Sequence, residues 1–334
     1  MSGEQGMRIG VWSMAHLHAL SYLDVLASRD DVAWIGISDE QDPDQARDVA
    51  QERGVVFVDD PQELLTQVDA VIITSANADH GWMLMQAAEA GVHALVEKPL
   101  ATTVAEGERM IAAMRANGLV LATAFPCPYS PAFEALQQAV AGDELGRILA
   151  VCSTNRGTMP GGFFIQVERS GGGAVIDHTV HVADLLRRLL GGPPARVYAE
   201  IGHGLYGQTW DDSGLLTMEW ADGAFATLDC SWSRPKSYPT WGDVTLKVVG
   251  ERGNAEADLF GQHVTRYPAQ AEPPRWQGWG SNLDARMIED FLGAVRGGRA
   301  PRSSGEDGLA ALRVALAAYA SAERCQPVSI AEVG

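Results

Sequence analysis

Short apolar runs and amphipathic stretches alternate through the first third of the chain. Met7–Trp12 and Val32–Ser38 read as strands, with a helix over 16–28 between them. A helix over 44–53, a strand over 55–58 and the helical PQELLTQ follow, then the unbroken apolar run DAVIITSA. That run lacks alternation, as expected of a parallel strand covered on both faces. Helices over 80–90 and 104–117 and strands over 94–96 and 119–124 complete the series. The βαβ rhythm predicts an α/β Rossmann domain with a parallel sheet over residues 1–124.

The pattern changes at FPCPYSPAF, where prolines 126, 128 and 131 interrupt any central strand or helix interior. Beyond it, RILAVCSTN, ARVYAEIGHG, GLLTMEW, AFATLDCSWS and DVTLKVVG alternate with period two and are separated by turns such as Ala221-Asp222-Gly223. Residues 125–334 are therefore expected to form an α+β domain with a mostly antiparallel open sheet. Helices over 175–190 and 309–324 interrupt and close it, and Ser304 and Asp307 match a capping box before the last helix.

Charge narrows the partners. The formal net charge is −18, so the field of the whole protein repels nucleic acid and anionic membrane. Cys127, Cys152, Cys230 and Cys325 are scattered without CxxC spacing, which fits a reducing cytoplasm better than a disulfide framework. The opening MSGEQG lacks a basic start and an apolar stretch, and no run is long enough to span a bilayer, so neither secretion nor insertion is expected.

Candidate chemistry begins at Glu97-Lys98-Pro99, which closes the run GVHALVEKPL. A lysine at the carboxyl end of a parallel strand faces the crevice where such sheets bind ligands. The succession DAVIITSANADH, AGVHALVEKPL and GGGAVIDHTVHVADLLRRL resembles, over nearly the whole chain, the glucose-fructose oxidoreductase and inositol dehydrogenase family (Gfo/Idh/MocA). The resemblance implies an NAD(P)-dependent dehydrogenase acting on a secondary hydroxyl or ketone of a sugar, cyclitol or glycoside. It also implies a second domain that carries the substrate site and much of a homodimer or homotetramer contact.

Under that resemblance Lys98, Asp177 and His181 match the catalytic residues. Oxidising an alcohol requires a group within hydrogen-bond reach to take its proton, and both Lys98 and His181 can do so. Residues 177 and 181 are four apart at a helix start and share one face. His181 is expected nearest the reacting hydroxyl, with Lys98 as its hydrogen-bonding partner and alternate base, and Asp177 as orienter. The bland alternative is that Asp177 caps the helix and His181 is an ordinary interior histidine.

The family's glycine-rich turn is altered. In Gly10-Val11-Trp12-Ser13-Met14-Ala15-His16-Leu17-His18, the fingerprint positions fall on Ser13, Ala15 and His18. Ser and Ala are small enough for a modified turn, and backbone N–H groups at a helix start attract phosphate whatever the side chains. Asp39 follows the second strand, where a carboxylate binds the adenosine ribose; with Glu40 beside it, NAD is favoured over NADP. Gly10, Ser13, Ala15, His16, Asp39, Thr74, Ser75, Asn77, His80 and Glu97 make up the cofactor side.

On the substrate side Phe125-Pro126-Cys127-Pro128-Tyr129 replaces the family's Asn-x-Arg segment. The candidates are Lys98, Asn155, Arg156, His178 and Trp232, with Arg234, Trp241, Trp276, Trp279 and the loop at residues 160–163 behind them. Two other readings compete. His16, His18, Asp177, His178 and His181 could hold zinc or manganese for a metal-assisted lyase or hydrolase, although no metal site is assigned. A sugar-binding protein that has lost turnover is the third.

Overall fold

The computed structural model describes residues 6–266, 275–278 and 280–334. The Trp276 side chain and the whole of Trp279 lie outside the described residues. The chain divides into two compact units, one of Met1–Phe125 with Asp284–Leu309, the other of Pro126–Leu283 with Ala310–Gly334.

In the first unit the elements run β1 (Met7–Trp12), α1 (His18–Ala27), β2 (Val32–Ser38), α2 (Pro43–Arg53), β3 (Val56–Phe57), α3 (Pro61–Gln67), β4 (Ala70–Ile73), α4 (His80–Glu89), β5 (His93–Val96), α5 (Val104–Ala116) and β6 (Leu121–Thr123). The six strands pair in parallel in the order β3-β2-β1-β4-β5-β6. This is the expected Rossmann sheet. Ile9, Val11, Val71, Ile72 and Leu95 are fully buried, because helices cover both faces. Gly10 lies inside β1 rather than at its end: a Cβ there would meet Leu64 Cδ2 at 3.2 Å, so this glycine serves helix packing. Strand order reverses between β1 and β4, which places the ligand crevice at the ends of β1, β2, β4 and β5.

In the second unit come α6 (Pro131–Ala141), β7 (Ile148–Gly157), α7 (Val167–Ser170), α8 (Ala174–Leu190), β8 (Arg196–Gly202), β9 (Ser213–Glu219), β10 (Phe225–Asp229), β11 (Gly242–Gly250), β12 (Asn254–Asp258), β13 (His263–Arg266) and β14 (Arg275–Gly278). The chain then enters α9 (Leu283–Gly297) and α10 (Gly305–Arg324) and ends in β15 (Val328–Ser329). The larger sheet runs β12-β11-β7-β10-β9-β8-β15, with β7 and β10 parallel and the other pairs antiparallel. Its alternation is clean. Leu216, Met218, Ala226, Leu228, Val151 and Leu246 are buried, whereas Leu215, Phe225 and Val249 face outward and are exposed. α8 packs on β7 and β9 and also touches α6 and the 3₁₀ turn over Cys127–Tyr129, so it is buried nearly all round. Gly214 admits it, since a Cβ there would meet Val175 Cγ2 at 2.7 Å.

Three helices, α6, the four-residue α7 and α9, go beyond the two expected over residues 125–334. Pro131 reads as a breaker in the sequence but occupies the first turn of α6, where a missing N–H costs nothing. The capping box before α10 forms as expected: Asp307 N donates to Ser304 Oγ and Ser304 N to Asp307 Oδ2. Among the described residues no helix is long and apolar enough to cross a membrane.

Candidate active site

The expected site residues fall into two groups, one in each unit. In the first unit, Ser13 ends β1 with φ +78°, a left-handed conformation that usually calls for glycine. Side chains compensate. Asp39, buried at the end of β2, accepts from Ser13 Oγ at 3.0 Å and Met14 N at 2.7 Å with one oxygen, and from Gln41 N at 2.9 Å and Asp42 N at 3.2 Å with the other. Its carboxylate therefore fastens the β1 and β2 turns together. Glu40 is fixed as well, accepting the Trp12 indole N–H at 2.8 Å.

The start of α1 is equally unusual. Asp42, Asp60 and Thr103 cap α2, α3 and α5 with their side chains, but Leu17 at the N-cap of α1 makes no such bond. Instead Ala15 N donates to Ser13 Oγ, His18 N to His16 Nδ1 and His16 N to the Thr74 carbonyl. Side-chain acceptors thus sit on N–H groups that phosphate oxygens take in a glycine-rich turn. A dinucleotide fits this frame: the strand order, the left-handed turn, the small exposed Ala15 and a carboxylate ending β2 are all present. Asp39 and Glu40 thus place two fixed carboxylates at the end of β2.

Across the crevice Thr74 Oγ1 donates to the Ser13 carbonyl at 2.6 Å, Ser75 Oγ to the Ala76 carbonyl at 3.2 Å, and Asn77 is buried in a 3₁₀ turn. His80 is fully buried with Nδ1 3.0 Å from the Pro99 carbonyl, and burial pulls its pKa down. The imidazole is therefore neutral and supports the turn that carries Lys98.

Lys98 is buried at the end of β5, and its backbone N–H donates to Glu97 Oε2 at 3.0 Å. Glu97 is the centre of a cluster that sequence reasoning did not assemble. Its Oε1 takes a bond from the Tyr22 hydroxyl at 2.6 Å and lies 2.9 Å from His18 Nδ1 and 3.7 Å from His16 Nδ1. Burial pushes the Glu97 carboxyl up, but the His16 and His18 charges, the His18 hydrogen bond and Lys98 outweigh it and hold it well below the usual range. For His18, burial lowers the imidazole but Glu97 more than restores it, so the net shift is upward.

His16, His18 and Glu97 offer ligand atoms within 4.8 Å of one another, a spacing that can hold a cation. In this arrangement His16 Nδ1 accepts from His18 N, and His18 Nδ1 faces a carboxylate oxygen. The sequence signal was present but easily passed over: His18 and Tyr22 are four apart on one face of α1.

The raised His18 pKa has a consequence for stability. Its stabilising contribution is whole below the ordinary histidine value of 6.5 and is lost as pH rises through the higher folded value. Melting temperature is expected to fall as pH rises from the ordinary histidine value of 6.5 through the raised folded one, and His18→Gln is expected to flatten that part of the slope. Parallel profiles for the two proteins would count against the pair.

In the second unit the turn at residues 171–173 shapes the start of α8. Gly171 has φ +80°, and a Cβ on Gly173 would meet the Asp211 carbonyl oxygen at 2.0 Å. Asp211 is the helix cap: Gly173 N donates to one carboxylate oxygen at 2.8 Å, Val175 N to the other at 2.7 Å, and the Tyr319 hydroxyl supports the first at 2.9 Å. Asp177 is not engaged as the cap. It accepts the Trp232 indole N–H at 3.1 Å, and His178 Nε2 is 3.4 Å away. His181, also buried, follows one turn later. Asp211 and Tyr319 carried no motif, and only the fold brings them to the helix start.

The remaining substrate candidates are engaged with protein. Asn155 is fully buried and donates to the His178 carbonyl at 3.0 Å. Arg156 pairs with Asp243 at 3.0 Å, and Arg234 bonds the same carboxylate. Burial raises the Asp243 carboxyl, but these two guanidinium groups and Thr154 bring it net below its ordinary value. Trp232 is fully buried and fixes Asp177, so its indole face is not open to a ligand. The exposed indole nearby is Trp241.

Comparison with known proteins agrees with the two-unit fold. Residues 9–125 match the oxidoreductase family model for the NAD-binding Rossmann fold, and residues 133–256 match the GFO/IDH/MocA C-terminal domain. A myo-inositol 2-dehydrogenase of Thermotoga maritima is 28% identical, over 98% of this chain and 99% of the relative. A D-glucoside 3-dehydrogenase of Escherichia coli is 29% identical over 92% of each. The crystal structure of GenD2 from gentamicin A biosynthesis, in complex with NAD, superposes with a TM-score of 0.88 at 26% identity, over 97% of this chain and 96% of that one.

Proposed function

Since the chain belongs to the GFO/IDH/MocA oxidoreductase family, we propose that it moves a hydride between NAD and a secondary hydroxyl or ketone of a sugar, cyclitol or glycoside. The observation that carries this is Lys98, buried at the carboxyl end of β5 in an NAD-type Rossmann sheet. The myo-inositol and D-glucoside dehydrogenases among its relatives support the substrate class.

Bound NAD supplies the hydride acceptor; the proton falls to the chain's own residues. His181 is assigned as acid and base at the reacting oxygen, and Lys98 as the alternate base. Asp177 orients, and Trp232 in turn fixes Asp177 at 3.1 Å. On the cofactor side Ser13, Ala15 and His16 shape the pyrophosphate turn, Asp39 with Glu40 sets the preference for NAD, and Thr74, Ser75, Asn77 and His80 border the ribose and nicotinamide. Glu97 holds the Lys98 turn.

The outer sheet face with Leu215, Phe225 and Val249 supports assembly with a second copy, as a homodimer or homotetramer. Four cysteines without a disulfide suit a reducing cytoplasm. Titration with NADH by fluorescence, followed by a panel of polyols, hexoses and glycosides read at the nicotinamide absorbance, tests the reading. Binding of NADH in preference to NADPH, with turnover of at least one panel member, is the expected result. No binding at millimolar cofactor would overturn it.

A further inference from the structure

A cavity of about 340 Å³ opens beside Trp241 in the second unit, within the size range of small-molecule sites. Trp241 is 48% exposed, yet it is held firmly. Its carbonyl accepts Thr158 N at 2.7 Å. The next residue, Gly242, presses so closely on β7 that a Cβ there would meet the Arg156 carbonyl oxygen at 2.0 Å. The Phe260 ring packs edge-on at 5.4 Å, and Gly157 lies beneath, where a Cβ would come 3.4 Å from Trp241 Cε3 and 2.8 Å from His178 Cε1. An indole that is both exposed and fixed on three sides offers a flat apolar face already in place for a ligand.

The cavity's chemistry is specific. Leu259 and Phe260 provide apolar surface, and Thr240, Ser281, Gln262, Asn282 and His263 provide polar edges. Among the described residues lining it there is no carboxylate, lysine or arginine, and His263 is the one ionisable group, so the described lining carries no permanent charge to select a phosphorylated sugar. An apolar face bordered by amides and hydroxyls matches a neutral pyranose ring, with C–H groups on one face and hydroxyls around its edge. The Trp241 ring centroid is 6.1 Å from that of His178, which directly follows Asp177 in α8. A ring seated on Trp241 therefore lies next to His178, whose Nε2 is 3.4 Å from Asp177.

We propose that this cavity is a subsite for a second, neutral hexopyranosyl ring, so that the substrate is a disaccharide-like glycoside oxidised on one ring and recognised through the other. The inference rests on the dehydrogenase reading for the oxidised ring but not for the binding of the second. The test compares methyl hexopyranosides with the matching disaccharides, NAD being saturating. The disaccharides are expected to show KM values about tenfold lower, and Trp241→Ala to collapse that ratio toward one, while Trp241→Phe retains most of it. Equal effects of Trp241→Ala on both substrates, or no effect on either, would overturn the subsite. So would a penalty confined to aryl glycosides, which marks an aromatic aglycone instead.

Calorimetric titration of the NADH-loaded protein with the same disaccharides separates the two failures. Trp241-dependent binding without turnover sinks the dehydrogenase reading alone. Turnover of methyl glycosides with no disaccharide preference sinks the subsite alone.

Discussion

Replacing Lys98 by Ala is expected to lower kcat by about 10²–10⁴-fold, the range for losing a positioned acid or base, while NADH binds within about twofold of the parent. The backbone of the turn is kept, although the charge that Lys98 places beside Glu97 is lost. The backbone N–H at position 98 donates to Glu97 Oε2, and Ala retains that bond. What disappears is the amine at a buried strand end. Lys98→Arg divides the two properties of the side chain. A guanidinium keeps the charge but does not release a proton near neutral pH, so loss of activity in both variants assigns proton handling to Lys98. Activity within about tenfold of the parent for the Arg variant would reduce Lys98 to an electrostatic role. Steady-state kinetics over a pH series reads both outcomes.

The fold was largely legible because its signals are local. Unbroken apolar runs such as DAVIITSA mark a doubly covered strand, and strict alternation marks the half-covered strands of the second sheet, whatever packs against them. Lys98, Asp177 and His181 were singled out by the family resemblance and by position, and the structure buries all three, at a strand end and a helix start. What the sequence hid was partnership across long separations. Glu97 is tied to Tyr22 from 75 positions away, and Asp211 caps a helix that starts 37 residues before it. Neither pair leaves a spacing to read. Trp232 and Trp241 show the same limit: both are tryptophans near strand ends, and only packing distinguishes the buried support of Asp177 from an exposed platform. The altered turn at Ser13 gains a physical meaning too. The chain replaces glycines with side chains that satisfy the turn's own N–H groups, and His18 at the third position is drawn toward Glu97.

Glu97→Ala is accordingly expected to destabilise the protein by about 3–5 kcal/mol, the cost of removing one partner from a buried charge cluster. At about 2–4 °C per kcal/mol for a unit of this size, the melting temperature falls by roughly 10 °C. The loss is this large because Glu97 is fully buried and serves Tyr22, His18 and the Lys98 backbone together, so deletion strands three groups at once. Glu97→Gln keeps the shape and one good acceptor oxygen but not the charge, and is expected to lose about half as much. The pH dependence fixes the cause. The carboxyl's folded value lies below its ordinary 4.5, so its contribution is present above that value and is lost as pH falls through the depressed one. The gap in melting temperature between parent and Glu97→Ala should therefore hold near neutral pH and close in strong acid. A gap that stays constant into acid would assign the destabilisation to lost packing volume rather than to the charge that His16, His18 and Lys98 surround.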